Sequence, residues 1–493
     1  MHNEISFRLL YAGVTALIVG IGLGIGFVMR ESRGRYSPIY MAAFLPLILF
    51  LCVPLLMLLR PESRGILLSL SLHALISAAI YALLLYALTP LLRKRLSAEG
   101  CAALWVLPNM LLYWCMSTAQ FAFGMQSRFL IRLPRALFRV LLGIWAAGFV
   151  GVLVWRIVSH LRFRRSLLRA AAEAGEREQA LLKELRGELT AKNSAVSPKL
   201  RVYYSPAARS PISVGLLRRS VCLVLPQRPY SDKELRLIFR HELIHLLHQD
   251  NHLKLTLTVV LAAGWFVPSL WAGIGRAGEE LELCCDELAV EGLDEAGRRQ
   301  YANLLLKNSG TARGFTTCLS ATASGLRYRM ARVLHPKKRR FGVLLAAALS
   351  ALFAFCFGLV GFSLEAGSFR DEILDRNGGG WQIIQVVPWT QPFTAESSAD
   401  PAVCAAAEAA LADRALSELP GQIRGAGEEL GYLRLTRPAG GEDESSWVHV
   451  TVYDSGMLCW QENVENAPRV WYQLREPPEL GELFSAAAEP PAQ

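Results

Sequence analysis

Apolar positions in this 493-residue chain fall in long unbroken blocks rather than at the spacing of a half-buried helix. Six blocks are long enough to cross a bilayer core of roughly 30 Å: Leu9–Met29, Ile39–Leu59, Ile66–Leu92, Cys101–Phe123, Leu137–Ser159 and Phe341–Phe362. The first follows Arg8, lacks a small-residue cleavage site and reads as a retained helix, not a signal peptide; its Gly20, Gly22, Gly24 and Gly26 suit close helix packing. Between the blocks, Ser166 to Lys192 reads as a solvated charged helix, and Leu200–Tyr204 and Ser220–Leu225 as short strands. Ser231, Asp232 and Glu234 then open a helix with a capping-box pattern. Beyond the last block the pattern predicts a strand over Trp381–Trp389, a helix over Ala402–Leu419, and strands near Leu433, Trp447–Tyr453 and Val470–Leu474.

Composition sharpens this picture. Hydrophobic residues make up 52% and charged residues 19%, which excludes a purely soluble chain. The net charge of +10 is unevenly spread: residues 364–493 hold 8 Arg, no Lys and 21 Asp+Glu, leaving +23 for the remainder. Basic loops and an acidic exported tail account for that asymmetry, with no direct contact to nucleic acid expected. Arg30, Arg33 and Arg35, then Arg93, Lys94 and Arg95, then Arg162, Arg164, Arg165 and Arg169 place three loops inside and the N-terminus outside. Arg60, Arg64, Arg128, Arg132 and Arg135 fall on the outer side and run against the rule. The ten cysteines form no CxxC pair; Cys404 and Cys459 share the tail and leave room for one disulfide.

The chemistry lies in His241-Glu242-Leu243-Ile244-His245. On a helix, residues four apart share a face, so His241 and His245 can offer two imidazoles to one Zn2+ while Glu242 acts as general base toward the attacking water. His248 and His252 continue the face, but the extended motif needs Gly at 248 and His at 251, where His and Asn stand; both are expected at the water interface. A third ligand is expected downstream, where Glu282 and Asp286 are again four apart: Glu282 on the metal, Asp286 orienting a ligand histidine, with Cys285 as a soft rival. If Leu253–Ile274 crossed the bilayer, His245 and Glu282 would emerge on opposite sides. Gly264 and Pro268 instead predict a helical hairpin that returns to its own side.

The order of these features resembles the BlaR/MecR-type antirepressor membrane metallopeptidases. The resemblance rests on Ser210-Pro211-Ile212-Ser213 with Gly215, Leu225-Pro226, His241 to His245 with Asp250, Trp265-Phe266 with Pro268, and Glu282 to Asp286. It covers about residues 66–360, including Leu96-Ser97 and Trp105, with Val267 where the family often has Asn or His. It implies a zinc endopeptidase on the cytosolic face, switched by an extracellular domain, that cleaves itself and removes a small helix-turn-helix repressor. By resemblance His241, His245 and Glu282 hold zinc, Glu242 is the base and Asp286 supports a ligand. The lysine-free tail cannot supply the Ser-x-x-Lys chemistry of the β-lactam-sensing members, so no penicillin-binding sensor domain is expected.

The fold class expected is a multi-pass α-helical membrane protein with an embedded α+β cytosolic HExxH zinc-peptidase domain and a small C-terminal α+β extracytoplasmic domain. The divisions are two membrane helices in 1–65, three in 66–160, a peptidase domain over 161–340 with a membrane-associated hairpin at 253–275, a last helix at 341–363, and the acidic domain 364–493. Such a chain sits in a bacterial cell membrane, in contact with lipid, and its partner is a protein substrate. A constitutive membrane protease and a non-proteolytic receptor or scaffold with structural zinc are the competing readings. Arg313, Tyr328 and Arg329 are the candidate oxyanion donors.

Overall fold

The computed structural model describes residues 9–23, 64–105, 107–108, 111, 129–190, 196–197, 199–215, 220–308, 323–336, 342–357, 360–376, 380–389, 399–419, 427–437, 447–462 and 469–488. The block Ile39–Leu59, most of Cys101–Phe123, and Arg313 lie outside these residues. Described residues divide into two compact units, one within 1–49, 76–113 and 145–356, the other within 50–75, 114–144 and 357–493.

Two described helices are long and apolar enough to span a membrane: the 75–95 part of α2 (Arg64–Arg95), and α3 (Arg135–Arg169). The helix α1 (Leu9–Leu23) is apolar and shorter. After α3 the chain does not run on as one charged helix. It pairs a two-residue strand β2 (Ala172–Glu173) with β3 (Val202–Ser205), then enters α4 (Glu176–Thr190). Leu182 and Leu185, three apart, bury α4 against the domain core, so the expected solvated stalk is a packed element.

Strands β3, β4 (Ile212–Val214) and β5 (Cys222–Pro226) complete a four-stranded sheet in the order β2-β3-β5-β4, with β3 and β5 parallel. Against it lies α5 (Asp232–His248), whose start is fixed by a reciprocal cap. The Ser231 hydroxyl accepts from the Glu234 amide, and the Glu234 carboxylate accepts from the Ser231 amide at 2.8 Å. Leu235, Ile238, Phe239, Leu243 and Leu247 then share one core with Val202, Leu223 and Leu225 of the sheet. Gln249, in the left-handed region at φ 58°, turns the chain sharply into α6 (Asp250–Ala263).

The break expected near Gly264 and Pro268 is present: α6 stops at Ala263 and Pro268 starts α7 (Pro268–Ala289). Within this unit the bend is pinned to the two long helices, since the Trp145 indole donates to the Ala263 carbonyl at 2.8 Å and the Ser269 hydroxyl to the Ala79 carbonyl at 3.1 Å. The second arm is longer than a hairpin requires, because α7 runs on to carry residues 279–287. Two further helices, α8 (Glu295–Lys307) and α9 (Ala323–Leu334), pack alongside, and α10 (Val343–Cys356) follows.

In the second unit β1 (Phe129–Leu133) pairs in parallel with β6 (Val360–Ser368), at the edge of an eight-stranded sheet ordered β1-β6-β8-β12-β11-β10-β9-β7. Residues 360–362 are therefore strand, not the end of a membrane helix. The remaining strands are β7 (Gln382–Pro388), β8 (Ala415–Leu419), β9 (Glu429–Thr436), β10 (Trp447–Tyr453), β11 (Met457–Glu462) and β12 (Val470–Leu474). Helices α11 (Pro401–Leu411) and α12 (Leu480–Ala488) contribute Cys404, Ala407, Leu411, Leu480 and Phe484 to its core. The expected helix over 402–419 ends at Leu411, because Ala415–Leu419 is captured between β6 and β12, and tertiary pairing overrides the helix propensity of alanine and leucine. Cys404 and Cys459 are free thiols rather than a disulfide.

Ser231→Ala removes the cap of α5 and should cost about 1 kcal/mol, whereas Leu243→Ala, at a fully buried position, should cost about 3 kcal/mol. Thermal unfolding of the purified variants checks that order; equal losses would mean that the cap, not the core beneath it, governs this helix.

Candidate metal centre

One turn of α5 brings His241 and His245 together with their rings nearly perpendicular and Nε2 atoms 3.0 Å apart. From α7, Glu282 Oε2 lies 3.8 Å from His241 Nε2 and Oε1 lies 3.7 Å from His245 Nε2. Three donors bound tetrahedrally at zinc distances stand roughly 3.3 Å apart, so these separations bracket what a single ion requires. Glu282 is buried at 4% exposure, and its Oε1 accepts no hydrogen bond among the described residues.

What aims the imidazoles is the occupation of their other nitrogens. His245 Nδ1 is 2.6 Å from Asp250 Oδ2, a contact made possible by the reversal at Gln249. His241 Nδ1 is 2.8 Å from the Tyr301 hydroxyl, which itself donates to Asp286 Oδ1 at 2.8 Å. With Nδ1–H committed on both rings, both Nε2 atoms face one place, and loss of the proton that His245 carries without metal leaves two lone pairs there for an ion. Asp286 reaches His241 through Tyr301 of α8, and its direct separation from His241 Nδ1 is 3.4 Å. Arg329 of α9 grips Asp286 with two hydrogen bonds of 2.6 and 2.9 Å and lies 3.4 Å from Glu282 Oε2. Lys254 of α6 is 3.6 Å from Glu282 Oε1.

Electrostatics agree with the donor set. Burial by itself would raise the Glu282 carboxyl, but His245, His241 and Arg329 hold it well below the usual carboxylate range. Burial opposes a charge on His245, yet Glu282 and Asp250 raise it to about 10 in the metal-free chain. Burial and then Asp250 push the Cys285 thiol well above its ordinary value. Cys285 Sγ faces His245 Nδ1 at 3.3 Å and Asp250 at 3.5 Å, on the far side of the ring from Glu282. It belongs to a second converging group, His245, Asp250 and Cys285.

Glu242 shares α5 with the histidines, is 4% exposed, and its Oε2 accepts no hydrogen bond among the described residues. His248, expected at the water interface, is buried at 3% exposure and lies outside the converging group. The Tyr328 hydroxyl donates to the Arg93 carbonyl at 3.2 Å, and Arg329 bonds Asp286. Tyr301 and Lys254 carried no local signal. Asp250 stood out only through the resemblance.

Two comparisons bear on this geometry. Residues 115–333 match the model of the family described as BlaR1 peptidase M56. The chain is also 27% identical over 174 residues to the "Regulatory protein BlaR1" of Bacillus licheniformis, a match covering 34% of this chain and 28% of that relative's length.

Replacing Asp250 by Asn should weaken zinc binding about 10–100-fold, while Cys285→Ala should change it less than about threefold, as for a packing residue. Because His245 holds a proton up to about pH 10 without metal, metal entry must displace it. The apparent affinity should then rise about tenfold per pH unit between about pH 6 and 9. Chelator competition at a series of pH values reads both, and a flat pH profile would mean that this proton is not displaced.

Proposed function

With residues 115–333 belonging to the BlaR/MecR-type metallopeptidases, we propose that this chain is a multi-pass membrane zinc endopeptidase that turns a signal received outside the cell into cleavage of a protein on the cytosolic side. The observation that carries the reading is the convergence of His241 Nε2, His245 Nε2 and Glu282 on one point, beside a buried Glu242. Two imidazoles and a carboxylate are the donor set of hydrolytic zinc, which would polarise the scissile carbonyl and make water more acidic when bound.

The chain's own residues do the rest. Glu242 is the general base: its unpartnered oxygen takes a proton from the attacking water and can return it to the leaving amine. Asp250 and the Tyr301–Asp286 pair keep the two histidines in the tautomer that leaves Nε2 free. Lys254, 3.6 Å from Glu282 Oε1, offers a cation on the His245 side to an oxygen that gains negative charge. A structural site has no use for a buried Glu242 whose Oε2 accepts no hydrogen bond among the described residues, which favours the enzyme over the scaffold.

The fold also supports the sidedness. In the proposed plan residues 124–136 and the acidic tail both lie outside, and β1 and β6, one from each segment, pair along five residues. The Arg135 guanidinium at the start of α3 further pairs with Glu372 and lies 3.6 Å from Glu418. The tail would act as the sensor, and the cleaved protein would be the chain itself, a small helix-turn-helix repressor, or both.

Membranes carrying the wild type should accumulate chain fragments on immunoblots, and Glu242→Gln should stop this while retaining zinc, with a loss of rate of about 10²–10⁴-fold. His245→Ala should lose both zinc and cleavage. Continued fragmentation in the Glu242→Gln chain would remove Glu242 from the mechanism, and a zinc-free wild type would remove the metallopeptidase reading.

A further inference from the structure

Helix α9 holds two places at once. From one of its residues, Arg329, the guanidinium makes its paired bonds to Asp286 and reaches Glu282. From its neighbours, Tyr328 and Arg332, donors go to a different target: both bond the carbonyl oxygen of Arg93, at 3.2 and 3.1 Å. That carbonyl belongs to the last turn of α2, where main-chain acceptors have no further helical amides to meet and the dipole favours cations. The Arg93 guanidinium stacks over the Tyr328 ring at 5.2 Å. It also donates to Glu280 at 2.6 Å and Glu279 at 2.9 Å, one turn before Glu282 on α7. Arg332 bonds Glu287, whose other oxygen accepts from the Ala98 amide at 3.2 Å.

The end of α2, α7 and α9 are thus joined by the charge pairs Arg93–Glu280, Arg329–Asp286 and Arg332–Glu287, each with one partner buried. Asp286 and Glu280 are fully buried and Arg332 is 6% exposed. Charges in such a setting must stay paired, because removing one partner leaves the other uncompensated in a low dielectric. Residues 328, 329 and 332 sit on one helix of 12 residues, so they move together. A shift of the α2 end must pull on Arg329, and through it on a metal ligand and on the support of His241.

Building on the metal-site reading above, we propose that Arg329 is a positioning residue for Glu282 and Asp286, and that α9 couples the end of the membrane-length helix α2 to the metal centre. Arg329 touches no substrate in this role. It sets where two carboxylates stand, and Tyr328 and Arg332 set where Arg329 stands.

The test measures zinc affinity of the full-length chain in detergent by chelator competition, with melting temperatures recorded in parallel. Arg329→Gln should bind zinc about 10–100-fold more weakly. Arg329→Lys should recover part of the loss, since it keeps the charge but not the fork. The pair Tyr328→Phe with Arg332→Gln, which alters no contact to a metal ligand, should weaken zinc at least about fivefold, and should add little on top of Arg329→Gln. An unchanged affinity in Arg329→Gln overturns the positioning role; an unchanged affinity in a folded Tyr328→Phe, Arg332→Gln chain, or in Tyr328→Phe alone should the pair not fold, overturns the coupling. Zinc bound by the wild type with no change in any variant would sink this inference alone, whereas a wild type that binds no zinc sinks the metal site with it.

Discussion

Everything at this site depends on a hydrogen bond to the back of each imidazole. A histidine has two nitrogens, and a pair four apart on a helix is no metal site until both rings turn the same nitrogen inward. Here Asp250 fixes one ring and Tyr301, backed by Asp286, fixes the other. The rest of the unit can be understood as the framework those two contacts require. The left-handed residue Gln249 folds Asp250 back onto α5, the bend after Ala263 returns the chain as α7, and α8 delivers Tyr301.

Much of this was legible in the sequence, for identifiable reasons. The spacing of His241, Glu242 and His245 needs only helical periodicity, and the Ser231–Glu234 cap needs only three residues of separation. The break at Gly264 and Pro268 followed from requiring His245 and Glu282 to share a side, and the two helices part there. Strands Trp447–Tyr453 and Val470–Leu474 have the bounds their alternation implies. What escaped was set by distant partners. Tyr301 reaches the site from 15 residues beyond Asp286 with no local pattern to mark it, and Arg329, a donor candidate by its charge, pairs with Asp286 from 43 residues beyond, which no local pattern predicts. Ala415–Leu419 has the composition of a helix and becomes a strand because two neighbours pair with it. The charged stretch after α3 has the composition of a solvated helix, yet Leu182 and Leu185 lie in the core.

The pairing of β1 with β6 gives the second unit a feature that a sequence reading of separate loops could not contain. A strand just before one membrane-length helix is built into the sheet of the acidic tail. In the proposed enzyme this supplies a structural reason for a signal at the tail to reach the membrane helices. The arginine–carboxylate pairs around α7 supply the corresponding reason on the peptidase side.

The most direct test of the central claim is X-ray absorption at the zinc edge of the purified full-length chain. The first coordination sphere should be nitrogen and oxygen alone at about 2.0–2.1 Å, with imidazole scattering from two histidines. A sulfur contribution at about 2.3 Å would contradict it, because it would place the metal on the Cys285 side of His245 and take Glu282 out of the site.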